Sequence, residues 1–255
     1  MKAINIEDRI SYIQSLDIGE PALAVPGRKK LAFVAEDDKK AAAVDAGSLV
    51  SFVGGVSAIH QQDTLNSTLL AQLAANQKYD REEQTVDWYK FYRDVLENIG
   101  WVIQGFNFNK FDTQSASFSV DEVVIKLLAA IATDDDVAIV AETIEAVKAL
   151  SNDDGRVVLF DSQSHKLKKG NFQIGIGNDD DGVMVMKMGA FYFSTSKDVT
   201  NVLWFRFERS DSEMYQASQT INLNEQIYAK VRQQVIDKLG VRAQEFVLGL
   251  DIGAD

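Results

Sequence analysis

The chain has 255 residues, 46% of them hydrophobic and 25% charged, a composition that excludes disordered, collagenous and disulfide-stapled classes. It contains no cysteine, which removes thiolate catalysis, cysteine zinc sites and disulfide bonds. Acidic residues outnumber basic ones 38 to 26, for a net charge of −12, and a field of that sign repels DNA, RNA and strongly anionic membranes, while zwitterionic lipid or a basic protein stays open as a partner.

The start, Met1 to Arg9, has no continuous apolar run, so no cleavable signal peptide is expected. The expectation is synthesis in the cytoplasm, with any release by a non-classical route. No stretch of 18 apolar residues occurs; the candidate around 120–132 is broken by Asp121, Glu122 and Lys126. The two prolines, Pro21 and Pro26, lie in a segment, residues 1–30, expected to be flexible or extended. Residues 31–255 show no linker and are expected to form one domain.

In chain order, 31–35 and 49–58, the latter with Gly54-Gly55 inside, read as short strands or as a strand and turn. From Asp63, taken as an N-cap, Leu65, Leu69 and Leu73 recur every four residues. After Asp80 a second helix carries Tyr89, Tyr92, Leu96 and Ile99 up to Gly100, a natural C′ residue. Helical spacing brings Trp88 and Tyr92 together, for packing in a core or for anchoring at a membrane interface. Trp101–Asn109 alternates, as a strand with one wet face does.

Ser119-Val-Asp-Glu122 is a capping box, whose serine and glutamate each satisfy an orphan helix-end amide. It opens a helix with Val123, Val124, Leu127, Leu128 and Ile131 on one face. Thr133 and three aspartates open the next, with Val137, Val140, Ile144 and Val147 inside. Beyond Gly155 the period changes to two, predicting strands at about 156–162, 171–177, 183–196, 201–209 and 213–222. Met184, Met186 and Met188 share one strand face, and Leu203, Phe205 and Phe207 another. A helix over 225–239 and a strand over 246–250 follow. Helix pairs plus a largely antiparallel sheet define an α+β protein.

Few motifs carry chemistry. Asn178-Asp-Asp-Asp-Gly182 lacks the alternating acids of a calcium loop and reads as a hairpin turn, and Asn152-Asp-Asp-Gly155 as another turn. Gly175-Ile-Gly177 lacks the third glycine and the strand-to-helix context of a nucleotide loop. His60 and His165 have no metal-ligand spacing and no nucleophile beside them. Lys166, Lys168 and Lys169 form the one basic cluster, either a solvated hairpin loop or a contact for lipid headgroups. Neither cofactor nor metal is expected, and the acidic pairs fall in turns and caps rather than in catalytic constellations.

Val157-Val-Leu-Phe160, Asn171-Phe-Gln-Ile-Gly-Ile-Gly-Asn178, Gly182-Val-Met-Val-Met186 and Ala190-Phe-Tyr-Phe-Ser194 follow one another in an order and spacing that resemble the strand series of the Cyt-type cytolytic δ-endotoxins. The stretch from Asn201 through Asp211-Ser-Glu-Met-Tyr215 to Leu223 is similar to that family's adjacent strands. The resemblance covers about residues 119–223. It implies an α/β sandwich, with a mostly antiparallel central sheet between two layers of helical hairpins. It further implies a non-enzymatic cytolysin or virulence factor that binds zwitterionic lipid, swings its helical layers off the sheet, self-associates and permeabilises the bilayer.

Carried over by position, the membrane-interacting groups would be Val123, Val124, Leu127, Leu128, Ile131, Val140, Ile144 and Val147 on the mobile helices. Met184, Met186, Met188, Leu203, Phe205 and Phe207 would be those on the strands. The alternative is a soluble interaction or small-ligand-binding module on the same scaffold, since a fold does not fix a function.

Overall fold

The computed structural model describes residues 5–20 and 30–253. In order, the elements are α1 (Ile6–Ser15), β1 (Ala41–Asp45), β2 (Ser48–Phe52), α2 (Ala58–Lys78), α3 (Thr85–Ile99), β3 (Trp101–Val102), β4 (Asn109–Lys110) and β5 (Ser117–Ser119). There follow α4 (Val120–Leu128), α5 (Asp134–Lys148), α6 (Gly155–Ser164), β6 (His165–Lys166), β7 (Lys169–Asp180), β8 (Val183–Thr195), β9 (Arg206–Glu208), β10 (Ser212–Leu223), α7 (Glu225–Leu239), α8 (Arg242–Phe246) and β11 (Val247–Leu250).

The central sheet runs β11-β1-β2-β7-β8-β10-β3, with β4 beside β10 and β6 beside β7. Only β2 and β7 run parallel; the other pairings are antiparallel. The long strands β7, β8 and β10 form its centre. A separate apolar core lies on each face of the sheet; β8 feeds both, whereas β7 gives apolar side chains to one and Asn171 and Gln173 to the other face. Met184, Met186 and Met188 belong to the core under α1, α2, α3 and α7. Phe172, Ile174, Ile176, Phe191 and Phe193 belong to the core under α4, α5 and α6. The fold is thus α+β, a mostly antiparallel sheet between two helical layers.

The β7–β8 hairpin turns on Asp181 (φ 52°) and Gly182 (φ 83°), the left-handed pair that a two-residue loop demands. The expected capping box is formed at Ser119/Glu122, and the acid-rich start of α5 forms a second one, Thr133/Asp136. Gly100 ends α3 in the left-handed conformation, φ 118°.

Several expectations are corrected. Residues 156–162 are helical: Asp154 accepts from the Arg156 amide as an N-cap, and α6 turns Val157, Phe160 and Ser164 toward the sheet. Packing of that face overrides the strand preference of adjacent valines. In 201–209 only Arg206–Glu208 is a strand. The Leu203 amide donates to Asn201 Oδ1, and Phe205 N to Val202 O, closing a turn instead. The 101–109 strand shrinks to Trp101–Val102, because Phe106 and Phe108 leave the ladder to pack on Tyr89, at ring distances of 5.0 and 4.9 Å.

Residues 31–35 contribute a single bridge, Ala32 to Leu248, whereas 49–58 takes the second of its two expected forms, a strand ending at Phe52 followed by a turn at Gly54-Gly55. Helix α2 begins earlier than expected, capped by Ser57. Asp63, expected as its cap, lies inside it, buried, with its carboxylate 2.7 Å from Arg232 of α7. In the N-terminal stretch, residues 6–15 form a helix rather than an extended segment. Residues 1–4 and 21–29 of that stretch lie outside the described residues.

Candidate functional site

The surfaces expected to meet lipid are built from α4 and α5 on one side and from the sheet faces they cover. Capping fixes where each helix starts and therefore which stripe it turns inward. Val123, Val124, Leu128, Val140, Ile144 and Val147 are buried together against the phenylalanines and isoleucines of β7 and β8. Leu127 and Ile131 sit half-buried at the rim of that core.

Two polar clips join this layer to the sheet. Thr143 Oγ1 and Ser51 Oγ, both buried, lie 2.8 Å apart. Asp136, the third residue of α5, accepts from the Thr133 amide (2.9 Å), Asn178 Nδ2 (2.7 Å) and Lys187 Nζ. Burial works against its charge, but the hydrogen bonds from Lys187, Asn178 and Thr133 outweigh it and hold the carboxyl below its usual range.

Leu203 and Phe207 are buried and Phe205 partly so, and Phe207 stacks on Phe118 at 5.5 Å. On the opposite face, Met184, Met186 and Met188 are wholly covered. Trp88 and Tyr92 stack in that core at 5.3 Å, settling their role as packing.

The seam between the α2–α3 hairpin and the sheet is polar, which the sequence did not signal. Asp45 of β1 is fully buried; Thr68 donates to its Oδ2, while its Oδ1 has no partner among the described residues. Burial outweighs the Thr68 hydrogen bond and pushes its pKa up to about 8. Gln72 ties the same helix to β1, donating to Asp45 O (3.0 Å) and accepting from the Gly47 amide (3.0 Å). Arg81, also buried, lies over the Trp88 ring at 4.8 Å and donates to Asn171 O at 2.9 Å. Burial lowers its pKa to about 10. Gln173 donates to Tyr89 Oη at 2.7 Å.

Of the basic cluster, Lys166 and Lys168 are exposed at the β6–β7 turn, and Lys169 reaches Glu83 of the α2–α3 connection at 2.7 Å. His60 lies 3.6 Å from both Asp179 and Glu225, joining α2 to the β7–β8 turn and to α7. A cleft of about 460 Å³ lies between the start of α3 and the stacked pair Tyr192–Tyr215, with Glu82, Glu83 and Asp87 on its rim. Among the described residues no group of three or more His, Asp or Glu side chains could hold a metal ion, and no helix is long and apolar enough to cross a membrane.

No family model matches the chain, and no curated protein matches its sequence. Among solved structures it is similar to a δ-endotoxin at 14% identity, over 80% of this chain and 90% of that one, with a TM-score of 0.40. It is also similar to the Evf virulence factor at 10% identity, over 89% of each chain, with a TM-score of 0.38.

Proposed function

We propose that this is a non-enzymatic, membrane-active protein that binds zwitterionic bilayers and permeabilises them by displacing its helical layers and self-associating. The observation that carries the reading is the length of three neighbouring antiparallel strands, the middle one of which, β8, is apolar on both faces. β7, β8 and β10 have 12, 13 and 12 residues, roughly 40 Å each at the usual rise, where a tilted transmembrane strand needs about 9–11. Such strands cross a bilayer only when every backbone group is paired, which closure of several copies into a barrel supplies. The amphipathic helices over them exchange a sheet for a lipid surface without exposing their apolar stripe to water.

Dye release from phosphatidylcholine vesicles tests this, with the intact and the lightly proteolysed chain at neutral and alkaline pH. Release by either form is expected; silence from both, with the protein folded, would discard the reading. A soluble ligand-binding module is the second reading, favoured by the cleft at Tyr192–Tyr215. Saturable small-ligand binding there, without any affinity for vesicles, would select it.

A further inference from the structure

The turns at the two ends of β7 carry opposite charge. At one, the β7–β8 turn presents Asp179, Asp180 and Asp181. At the other, the β6–β7 turn presents Lys166, Leu167 and Lys168. Leu167 is anomalous twice over. Its backbone is left-handed, φ 54°, a conformation suited to glycine or asparagine and costly for a leucine. Its side chain is 64% exposed, so no packing within the fold explains the choice. The β7–β8 turn of the same sheet solves the same steric problem with Asp181-Gly182.

The turn is braced from behind. Val199 N donates to Leu167 O and Thr195 N to Lys168 O, both at 2.9 Å, and His165 Nε2 lies 2.9 Å from Val199 O. Thr195 closes β8, and the connection after it, which supplies Val199, also carries Trp204, 39% exposed, whereas Trp88 and Trp101 are buried. Lys168 meets Asp198 only at 4.0 Å, between exposed groups, a contact of little energetic weight. One end of an acidic molecule thus holds a rigid, strained, outward leucine between lysines, with an exposed tryptophan on the segment bonded to it.

We propose that Leu167 is the tip that first enters the phospholipid interface, with Lys166 and Lys168 on headgroup phosphates and Trp204 at the headgroup level. Leucine and tryptophan favour that boundary, and lysine stems reach along it while the ammonium groups stay with phosphate. The aspartates at the far end favour the same orientation, being held away from the phosphates. This inference rests on the membrane-active reading and narrows it to one contact.

The test uses the full chain with phosphatidylcholine vesicles, some carrying acyl chains brominated near the carbonyl end, and reads tryptophan quenching and co-sedimentation. Quenching in the wild type that is lost in Trp204→Phe is expected. Leu167→Asn and Leu167→Gly suit the left-handed backbone, so both should fold at least as stably yet partition roughly tenfold more weakly, the loss of one buried leucine side chain. Wild-type partitioning in both variants, or vesicle-bound protein with Trp204 unquenched, would overturn the tip and leave the membrane reading intact. A wild type that binds no vesicles at all would remove both.

Discussion

Ser51 on β2 and Thr143 on α5 face each other with hydroxyl oxygens 2.8 Å apart in the buried interface between sheet and helical layer. Because the chain has no cysteine, the pair Ser51→Cys/Thr143→Cys offers one unambiguous crosslink. If α5 must leave the sheet, the oxidised variant should bind vesicles without releasing dye, and reduction should restore release. Equal release from both redox forms would show that α5 stays in place.

Asp45 and Asp161 both have folded-state pKa values raised by burial, to about 8 and about 7, from 3.8. A carboxyl raised in this way stabilises the fold most fully below its unfolded value, and the contribution is lost as pH rises through the folded one. Tyr92 and Arg81, in the same seam, do not reverse the direction. Thermal midpoints should therefore fall between about pH 4 and pH 9, and Asp45→Asn should flatten that fall. A midpoint that climbs across the window would contradict the seam.

Asp136 behaves oppositely. Its lowered pKa means that its stabilisation is present above the ordinary carboxyl range and disappears as pH falls through the depressed value. Asp136→Ala removes a cap and leaves Lys187 without its partner. We expect a loss of about 2 kcal/mol in denaturant unfolding at pH 7. A loss smaller than that of the exposed control Asp135→Ala would be inconsistent with the clip.

Gly177 on β7 leaves no room for a side chain: a Cβ there would lie 2.5 Å from the Phe52 ring and 2.7 Å from Met184 Cε. Gly177→Ala should destabilise by about 1–3 kcal/mol through overpacking, measured by urea unfolding. The further change Met184→Leu, which shortens the opposing side chain, should recover part of it.

How far the sequence told of this molecule differs by element. The capping box at Ser119, the helix start at Thr133, the Asp181-Gly182 turn and the alternation of β8 are local signals, fixed by a few adjacent residues, and each is found where expected. Helix α6 was hidden because Val157-Val158 favours a strand until the whole Val157, Phe160, Ser164 face is known to meet the sheet. The start of α2 was hidden because Asp63 resembles a cap, and only Arg232, 169 residues away, makes its burial tolerable. The seam of Asp45, Arg81 and Asn171 is formed by three distant segments and had no local signature. The stripes of α4, α5 and β8 are found as read, while Leu203, Phe205 and Phe207 are not one strand face, and a stripe is the same whether it meets a sheet or a bilayer.

The pairing of β1 with β11 sets Asp45 against Val247. Two hundred residues separate these neighbours, and β2 likewise waits for β7 before it has a partner on its other side. A ribosome would therefore expose β1 and β2 as an unpaired two-stranded edge through most of translation. Contacts so distant in sequence slow folding and lengthen the time in which edge strands can pair with the wrong chain. The molecule's exposure to misassembly is thus greatest during its synthesis.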